Sequence, residues 1–372
     1  MTSGFLPCEW GKGKLIGSGS FGQVYIAINK NNGQLFVVKS SHCEVGMKSL
    51  EKEVLILSKL KNSPYIVQFI GKEITYAPPN NERILNVFME YMGGGTLFDV
   101  IDKFGGNLFE GVIRSYTRQL LLGLDYLHKN GIVHCDIKCK NILLDSQGNV
   151  KLADFGCATF GNDFLDKSTS SKVLQQNQYV GGTPLWMAPE VLKGESPNKG
   201  SDIWSLGCTI IEMATGKPPN WGENKSNPMA TILKIVTSNE NPIFPNELSR
   251  EGLNFLEICF QRDSEKRLIA EELLQHPFIV TDSTINKKLL NARDVPSPSS
   301  VLDVRNFDMN FSDNEEEDEE TQHKGVHNVI PSNIGLISKT RKVMINNFQA
   351  NSLKPHIDLE VSEKWVTVRS ID

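Results

Sequence analysis

The sequence predicts an α+β chain, with strands gathered near its beginning and helices through its middle. Two patterns and one change of composition lead to this. Runs rich in β-branched and aromatic residues at 24–28, 35–39, 66–70 and 84–88 read as strands. At 47–60, Leu50, Val54, Leu57 and Leu60 return at three- and four-residue intervals, which is helical spacing. Residues 97–103, 109–129 and 202–215 also read as helices, and after about residue 281 the composition turns polar and acidic.

The 372 residues suit one large or two ordinary domains, and 39% hydrophobic content can fill a sizeable core. A net charge of −5 argues against general nucleic-acid binding. No apolar run reaches the ~18 residues of a spanning helix, so no membrane association is expected. The opening Met1-Thr2-Ser3-Gly4 lacks the charged start and apolar core of a signal peptide, and Thr2 excludes N-myristoylation. Seven cysteines without C-x-x-C spacing point to reduced thiols in an intracellular protein, cytoplasmic, nuclear or both.

Taken in order, residues 1–10 read as a leader, with Trp10 placed to pack on the first strand. Ile16-Gly17-Ser18-Gly19-Ser20-Phe21-Gly22-Gln23-Val24 has the pattern G-x-G-x-x-G-x-V. Alone this is a weak signal, because an ordinary Gly-rich hairpin or a dinucleotide site can carry it. A dinucleotide site, however, requires a helix to follow, and here a strand follows. Lys39 closes the apolar run Phe36-Val37-Val38. Glu51 and Glu53 lie on nearly opposite faces of the helix at 47–60; Glu53 shares the arc of Leu50, Leu57 and Leu60 and so points to the core. Met89-Glu90-Tyr91-Met92 then leads to Gly93-Gly94-Gly95.

The densest chemistry lies in His134-Cys135-Asp136-Ile137-Lys138-Cys139-Lys140-Asn141, followed after the strand-like Ile142-Leu143-Leu144 by Asp154-Phe155-Gly156. One short loop thus carries a carboxylate, an ammonium and an amide, with a second carboxylate downstream. Phosphoryl transfer needs a carboxylate for the hydroxyl proton, metal ligands for the ATP phosphates and a cation on the transferred group.

These motifs, in this order, resemble eukaryotic protein kinases over about residues 10–280. The resemblance implies a two-lobed kinase fold: a small β-rich N-lobe over about 10–91, a larger α-helical C-lobe over about 93–280, and a disordered tail over 281–372. It implies ATP and Mg2+ as cofactors. Asp136 becomes the proton acceptor, Lys138 the cation on the γ-phosphate, and Lys39 the phosphate-binding Lys paired with Glu53 in preference to Glu51. Asn141 and Asp154 become metal ligands. Ile16, Gly17, Ser18, Gly19, Ser20, Phe21, Gly22, Val24, Val37, Met89, Glu90, Met92 and Leu143 join Lys39 around the nucleotide, with Met89 as gatekeeper and 90–92 as hinge. Lys138 two residues after Asp136, and Gly182-Thr183-Pro184 before Ala188-Pro189-Glu190, indicate Ser/Thr specificity. Asp202 is implied to anchor the catalytic loop and Arg267 to pair with Glu190.

Gly182 to Val191, Lys199 to Thr209 and Gly216-Lys217-Pro218-Pro219 are most similar to the MEK-kinase-type MAP kinase kinase kinases, and the short form with an N-terminal kinase domain is similar to a plant subgroup. That resemblance implies a MAP kinase kinase as protein substrate, met as a monomer or in transient signalling complexes. Two positions depart from the common kinase pattern. Cys135 replaces the Arg that pairs with an activation-loop phosphate, and a thiol makes no such charge-assisted bond. Phosphorylation at Ser168, Thr169, Ser170 or Ser171 is therefore expected to couple weakly to activity. Lys140 stands where basophilic kinases often carry Glu, so Arg upstream of the target is expected to be disfavoured. The alternatives are a Ser/Thr kinase outside the MAP kinase cascade and a kinase-fold scaffold that binds cascade partners without transfer activity, which Cys135 favours and intact Lys39, Asp136 and Asp154 oppose. Seven acidic residues at 313–320 cannot bury themselves; the tail is expected to be a regulatory or docking segment or a passive solvated one.

Overall fold

A computed structural model describes residues 9–19, 22–60, 63–161, 181–222, 228–280 and 366–369. All of them belong to one compact unit; a second unit, 305–363, lies outside the described residues. Among the described residues no helix is long and apolar enough to cross a membrane.

The β-rich lobe is a six-stranded sheet in the order β11-β1-β2-β3-β5-β4. Its strands are β1 (Glu9–Gly19), β2 (Gly22–Asn29), β3 (Leu35–Ser41), β4 (Phe69–Ala77), β5 (Glu82–Glu90) and β11 (Val366–Arg369). Every contiguous pair runs antiparallel. Two small aromatic and aliphatic clusters hold it. On one, Trp10, Phe36 and Phe88 meet edge to face with ring centres 5.4–6.2 Å apart, the geometry preferred by aromatic quadrupoles. On the other, Leu50 and Val54 of α1 (Glu44–Lys59) pack on Leu85 and Val87 of β5.

Three sequence expectations are corrected here. Trp10 is no leader residue but part of β1, and its indole Nε1 donates to Glu73 at 3.1 Å. The strand expected at 66–70 is β4, shifted toward 77, while Ile66 makes an isolated parallel bridge to Leu152. The chain expected to be wholly tail after 281 carries a strand at 366–369, paired with β1; 281–365 lie outside the described residues. Sequence periodicity misplaces β1 and β4 because register shifts against β2 and β5 interrupt their alternation.

The helical lobe follows α2 (Leu97–Lys103), which Thr96 and Asp99 cap reciprocally, and is built on α3 (Glu110–Lys129) and α5 (Lys199–Thr215). Between these lie the strand pair β7 (Ile132–Val133) with β10 (Thr159–Phe160), the strands β8 (Ile142–Leu144) and β9 (Val150–Leu152), which complete a three-stranded sheet begun by β6 (Gly95–Thr96) just before α2, and the short α4 (Pro189–Leu192). Helices at Pro228–Thr237, Arg250–Cys259, Ala270–Leu273 and Pro277–Val280 complete it. One large apolar cluster fills this lobe and takes in Ile56, Leu57 and Ile66 from the other side. Nearly every residue of α5 is buried. A helix apolar all round belongs at the centre of a domain, and α5 is the post on which the site is mounted.

Candidate active site

The Gly-rich segment is the junction of β1 and β2, with Gly19 opposite Gly22 in register. Gly22 has φ +151°, and a Cβ there would lie 2.5 Å from the Ser40 carbonyl oxygen, so only glycine lets β2 lie this close to β3. Ser20 and Phe21 lie outside the described residues. The next strand places Lys39 opposite Val24 and, across β5, Val37 opposite Met89. Met89, Met92 and Leu143 share one apolar cluster with Val67 and Ala153, while Ile16 is half exposed at the end of β1. Glu90 is engaged on its carboxylate by Lys151 Nζ at 2.7 and 2.8 Å and by the Gln68 N–H at 2.7 Å, and its own N–H donates to Gln68. This ties the segment between the lobes to β9.

Lys39 Nζ lies 2.8 Å from Glu53 Oε2 and 2.9 Å from Asp154 Oδ1. Helical phase decides which glutamate is chosen: Glu53 is buried on the α1 face toward the core, whereas Glu51 is exposed, 3.8 Å from Arg83. The other oxygen of Glu53 accepts the Phe155 N–H at 3.1 Å, so one carboxylate joins α1, β3 and the Asp154 segment. Burial by itself would lower the Lys39 pKa, but the charges of Glu53 and Asp154 outweigh it and raise the pKa. The Asp154 carboxyl is held below its usual range: packing opposes this, although 43% of the side chain still meets solvent, and the Lys39 charge prevails.

The loop between β7 and β8 is hung from α5. Asp202 Oδ2 accepts the His134 N–H and meets His128 Nε2, and its Oδ1 accepts the Cys135 N–H, all at 2.9 Å. His134 is buried beside Phe155, ring centres 4.8 Å apart. Its Nε2 faces the Ala153 carbonyl and its Nδ1 the Asp136 N–H. A carbonyl only accepts and an N–H only donates, so the proton sits on Nε2. Cys135 adopts φ +66° and Asp154 φ +61°. Such a backbone costs energy that the surrounding bonds must repay, and it turns the loop sharply.

Asp136 is consequently presented with both carboxylate oxygens hydrogen-bonded. Oδ1 accepts from Thr183 Oγ1 at 2.8 Å; Oδ2 accepts from Lys138 Nζ at 2.8 Å and from Asn141 Nδ2 at 2.7 Å. Lys138 Nζ also donates to Thr183 Oγ1 at 2.6 Å. Thr183 reaches this point because Gly182, at φ +140°, passes where a Cβ would meet the Cys135 carbonyl at 2.7 Å. The Cys135 thiol faces the Val133 carbonyl, and burial, with Asp202 near, pushes its pKa well up; it carries no positive charge toward the segment at 162–180, which lies outside the described residues. Lys140 Nζ stands 4.8 Å over the exposed Phe98 ring.

The sequence reading missed one residue of this assembly. Glu212 of α5, buried, accepts through Oε2 from the Cys139 N–H and from Trp186 Nε1, both at 3.1 Å. It thereby joins the catalytic-type loop to the segment carrying Thr183. Glu190 and Arg267 pair where expected, at 2.8 Å and buried, and Arg267 adds the Gly200 and Gln261 carbonyls.

Asp136 with Lys138, Asn141 and Thr183, and Asp154 with Lys39 on the strand beside the Gly-rich junction, supply the groups that phosphoryl transfer needs. Residues 10–279 match the protein kinase domain family. The chain is a protein kinase. The kinase is similar to mitogen-activated protein kinase kinase kinase 17 of Arabidopsis thaliana, 40% identical over 297 residues that span 79% of this chain and 76% of the relative. It is similar to mitogen-activated protein kinase kinase kinase 18 of the same plant, 36% identical over 97% of this chain and 99% of the relative. It is 42% identical to mitogen-activated protein kinase kinase kinase 3 of Mus musculus, over 73% of this chain and 42% of that one. The kinase belongs with the MAP kinase kinase kinases, which are Ser/Thr protein kinases, as its motifs led one to expect. ATP as the phosphoryl donor follows from the family.

Proposed function

We propose that this kinase transfers the γ-phosphoryl group of ATP to a Ser or Thr hydroxyl of a MAP kinase kinase. The observation that supports it most is the Asp136 carboxylate held between Lys138, Asn141 and Thr183. Asp136 takes the proton of the substrate hydroxyl, which occupies a place beside Thr183. Lys138, already 2.8 Å from Asp136, faces the charge that builds on the transferred group. Lys39, held by Glu53, grips the phosphates beneath the Gly-rich turn.

The residues present suit Mg2+. The accessible Asp154 carboxylate and the Asn141 amide oxygen are hard oxygen donors, and Asn141 spends its NH2 on Asp136. Among the described residues no group of three His, Cys, Asp or Glu could hold a metal; Mg2+ characteristically takes one or two carboxylates and completes its shell with phosphate oxygens and water. When bound, ATP and Mg2+ supply the phosphoryl group and neutralise its charge.

The test is phosphate transfer from ATP-Mg2+ by the purified full chain to catalytically dead MAP kinase kinases and to a generic basic protein, with Asp136→Asn as control. Asp136-dependent labelling of the MAP kinase kinases is expected. Labelling of the basic protein alone would discard the cascade substrate, and absence of all labelling with ATP still bound would point to a scaffold.

A further inference from the structure

We infer that Cys135 and Cys157 form a dithiol whose closure to a disulfide is a redox control on phosphoryl transfer. Both thiols are free, and neither residue is fully buried. Three observations bring them together. The first is register. β7 and β10 run antiparallel with Ile132 opposite Phe160 and Val133 opposite Thr159, and beyond them the Gly161 N–H donates to the Gly131 carbonyl at 2.8 Å. Carried two residues the other way, the same register sets Cys135 opposite Cys157, on the same face as Val133 and Thr159. Facing Cα atoms in such a pair lie about 4.5–5.5 Å apart, inside the ~4.4–6.8 Å that a disulfide spans. The second is direction. Cys135 leaves the strand at φ +66°, yet its Sγ lies back over the end of β7, 3.6 Å from the Val133 carbonyl. The third is shared surroundings. Lys52 of α1 and Asp136 are near enough for their charges to act on both thiols, and the charge of a Cys157 thiolate acts on Cys135.

A bond here staples the open end of the β7–β10 ladder, whose last pair on this side is Val133 with Thr159. It also joins the residue before Asp136 to the residue after Asp154-Phe155-Gly156. Gly181 and Gly182 rest on the two cysteines: a Cβ on Gly181 would lie 2.8 Å from Cys157 Sγ, and one on Gly182 2.7 Å from the Cys135 carbonyl oxygen. These glycines run straight into Thr183, whose hydroxyl donates to Asp136. Drawing Cys157 Sγ to Cys135 therefore removes the seat of Gly181 and displaces Thr183, and transfer slows. The oxidant is a small-molecule disulfide. One cysteine thiolate attacks it, releasing one small thiolate and leaving a mixed disulfide. The other cysteine then displaces the second. Two protein thiols and one small disulfide become one protein disulfide and two small thiols, which take up the two protons. Burial, with Asp136 and Asp154 near, pushes the Cys157 thiol up to about 11, and burial raises Cys135 as well. Such thiols start exchange slowly and are poor leaving groups, so the disulfide, once formed, persists until it is reduced.

The test treats the reduced full chain with oxidised glutathione. Non-reducing tryptic digestion and mass spectrometry read the joined peptides 130–138 and 152–167, each of which holds one cysteine. The same samples are assayed for phosphate transfer to a generic basic protein. The expected result is a 135–157 link within one chain and a kcat at least about tenfold lower, both reversed by dithiothreitol. Cys135→Ser and Cys157→Ser should each keep their own reduced-state rate under the same treatment. Cys43→Ser, which keeps a side-chain acceptor at the α1 N-cap, should respond as the unaltered chain does. The inference is overturned if either cysteine is found carrying glutathione alone, joined to another cysteine, or joined to a second chain. It is equally overturned by no modification, by linking without loss of rate, or by a loss of rate that Cys157→Ser does not remove.

Discussion

Replacing Glu212 tests whether the active-site loop and the Thr183 segment are held through one buried carboxylate. Glu212→Leu leaves the Cys139 N–H and the Trp186 indole N–H, both buried, without their acceptor. Each unsatisfied buried donor costs about 1–3 kcal/mol, so the gross loss is about 2–6 kcal/mol. Relief of the carboxyl's own desolvation subtracts from this. Glu212→Gln keeps an oxygen for both donors and should lose about 1 kcal/mol. At about 2–4 °C per kcal/mol for a domain of this size class, Leu lowers Tm by several degrees and Gln by a few at most. Below both transitions kcat falls with Leu, because Cys139 and Thr183 no longer share a fixed post, while Gln retains most of it. Burial, the strongest influence on Glu212, raises its pKa above 4.5 despite these two donors. The folded state then binds the extra proton between the unfolded and folded pKa values, so wild-type stability declines as pH rises through that window. The Gln variant does not titrate, and its deficit therefore shrinks as pH rises above about 4.5. Thermal unfolding across pH 4–8 with steady-state kinetics reads all of this. A Leu variant with wild-type Tm and kcat, or a Gln deficit that widens with pH, refutes the reasoning.

Further outcomes follow from the same geometry. Glu53→Gln is expected to cut kcat about 100-fold by freeing Lys39, whereas Glu51→Gln, which removes exposed interactions such as the 3.8 Å pair with Arg83, leaves activity and Tm near wild type in the same assays. Arg267→Ala strands the buried Glu190 charge and should cost about 3–5 kcal/mol, read by denaturant unfolding. On peptide arrays the kinase should select against Arg upstream of the target, and Lys140→Glu should reverse this; an upstream Arg preference in the wild type contradicts the expectation. Alanine at Ser168, Thr169, Ser170 and Ser171 together should change activity less than about threefold if Cys135 leaves loop phosphate without its usual partner; a strong loss in the kinase assay contradicts it.

Much of the helical architecture is legible in the chain because helices write a local period. The helix expected at 47–60 spans Glu44–Lys59, and Leu97–Lys103 is matched at both ends. The choice of Glu53 over Glu51 follows from the same period and needs no tertiary information. Motif order places Asp136, Lys138, Asn141 and Asp154 close together, and the structure gathers their polar atoms into two hydrogen-bonded sets, Asp136 with Lys138, Asn141 and Thr183, and Asp154 with Lys39. The strands are read less well, since β1, broken by register shifts against β2, has little alternation to detect.

By itself, then, the sequence determined the fold class, the family and the residue types of the site, all of which rest on local periodicity and on spacing within short motifs. Only the tertiary structure decided which distant partners those residues meet. Glu212 sits in a helix buried on nearly every side, where no amphipathic pattern marks one polar residue as special. Its role exists only because Cys139 and Trp186, from two other segments, converge on it. Glu90 and Lys151, and β1 with β11, are likewise joined across long stretches of chain. Backbone pairing and hydrogen bonding of that kind depend on where the chain returns in space, which no local repeat encodes.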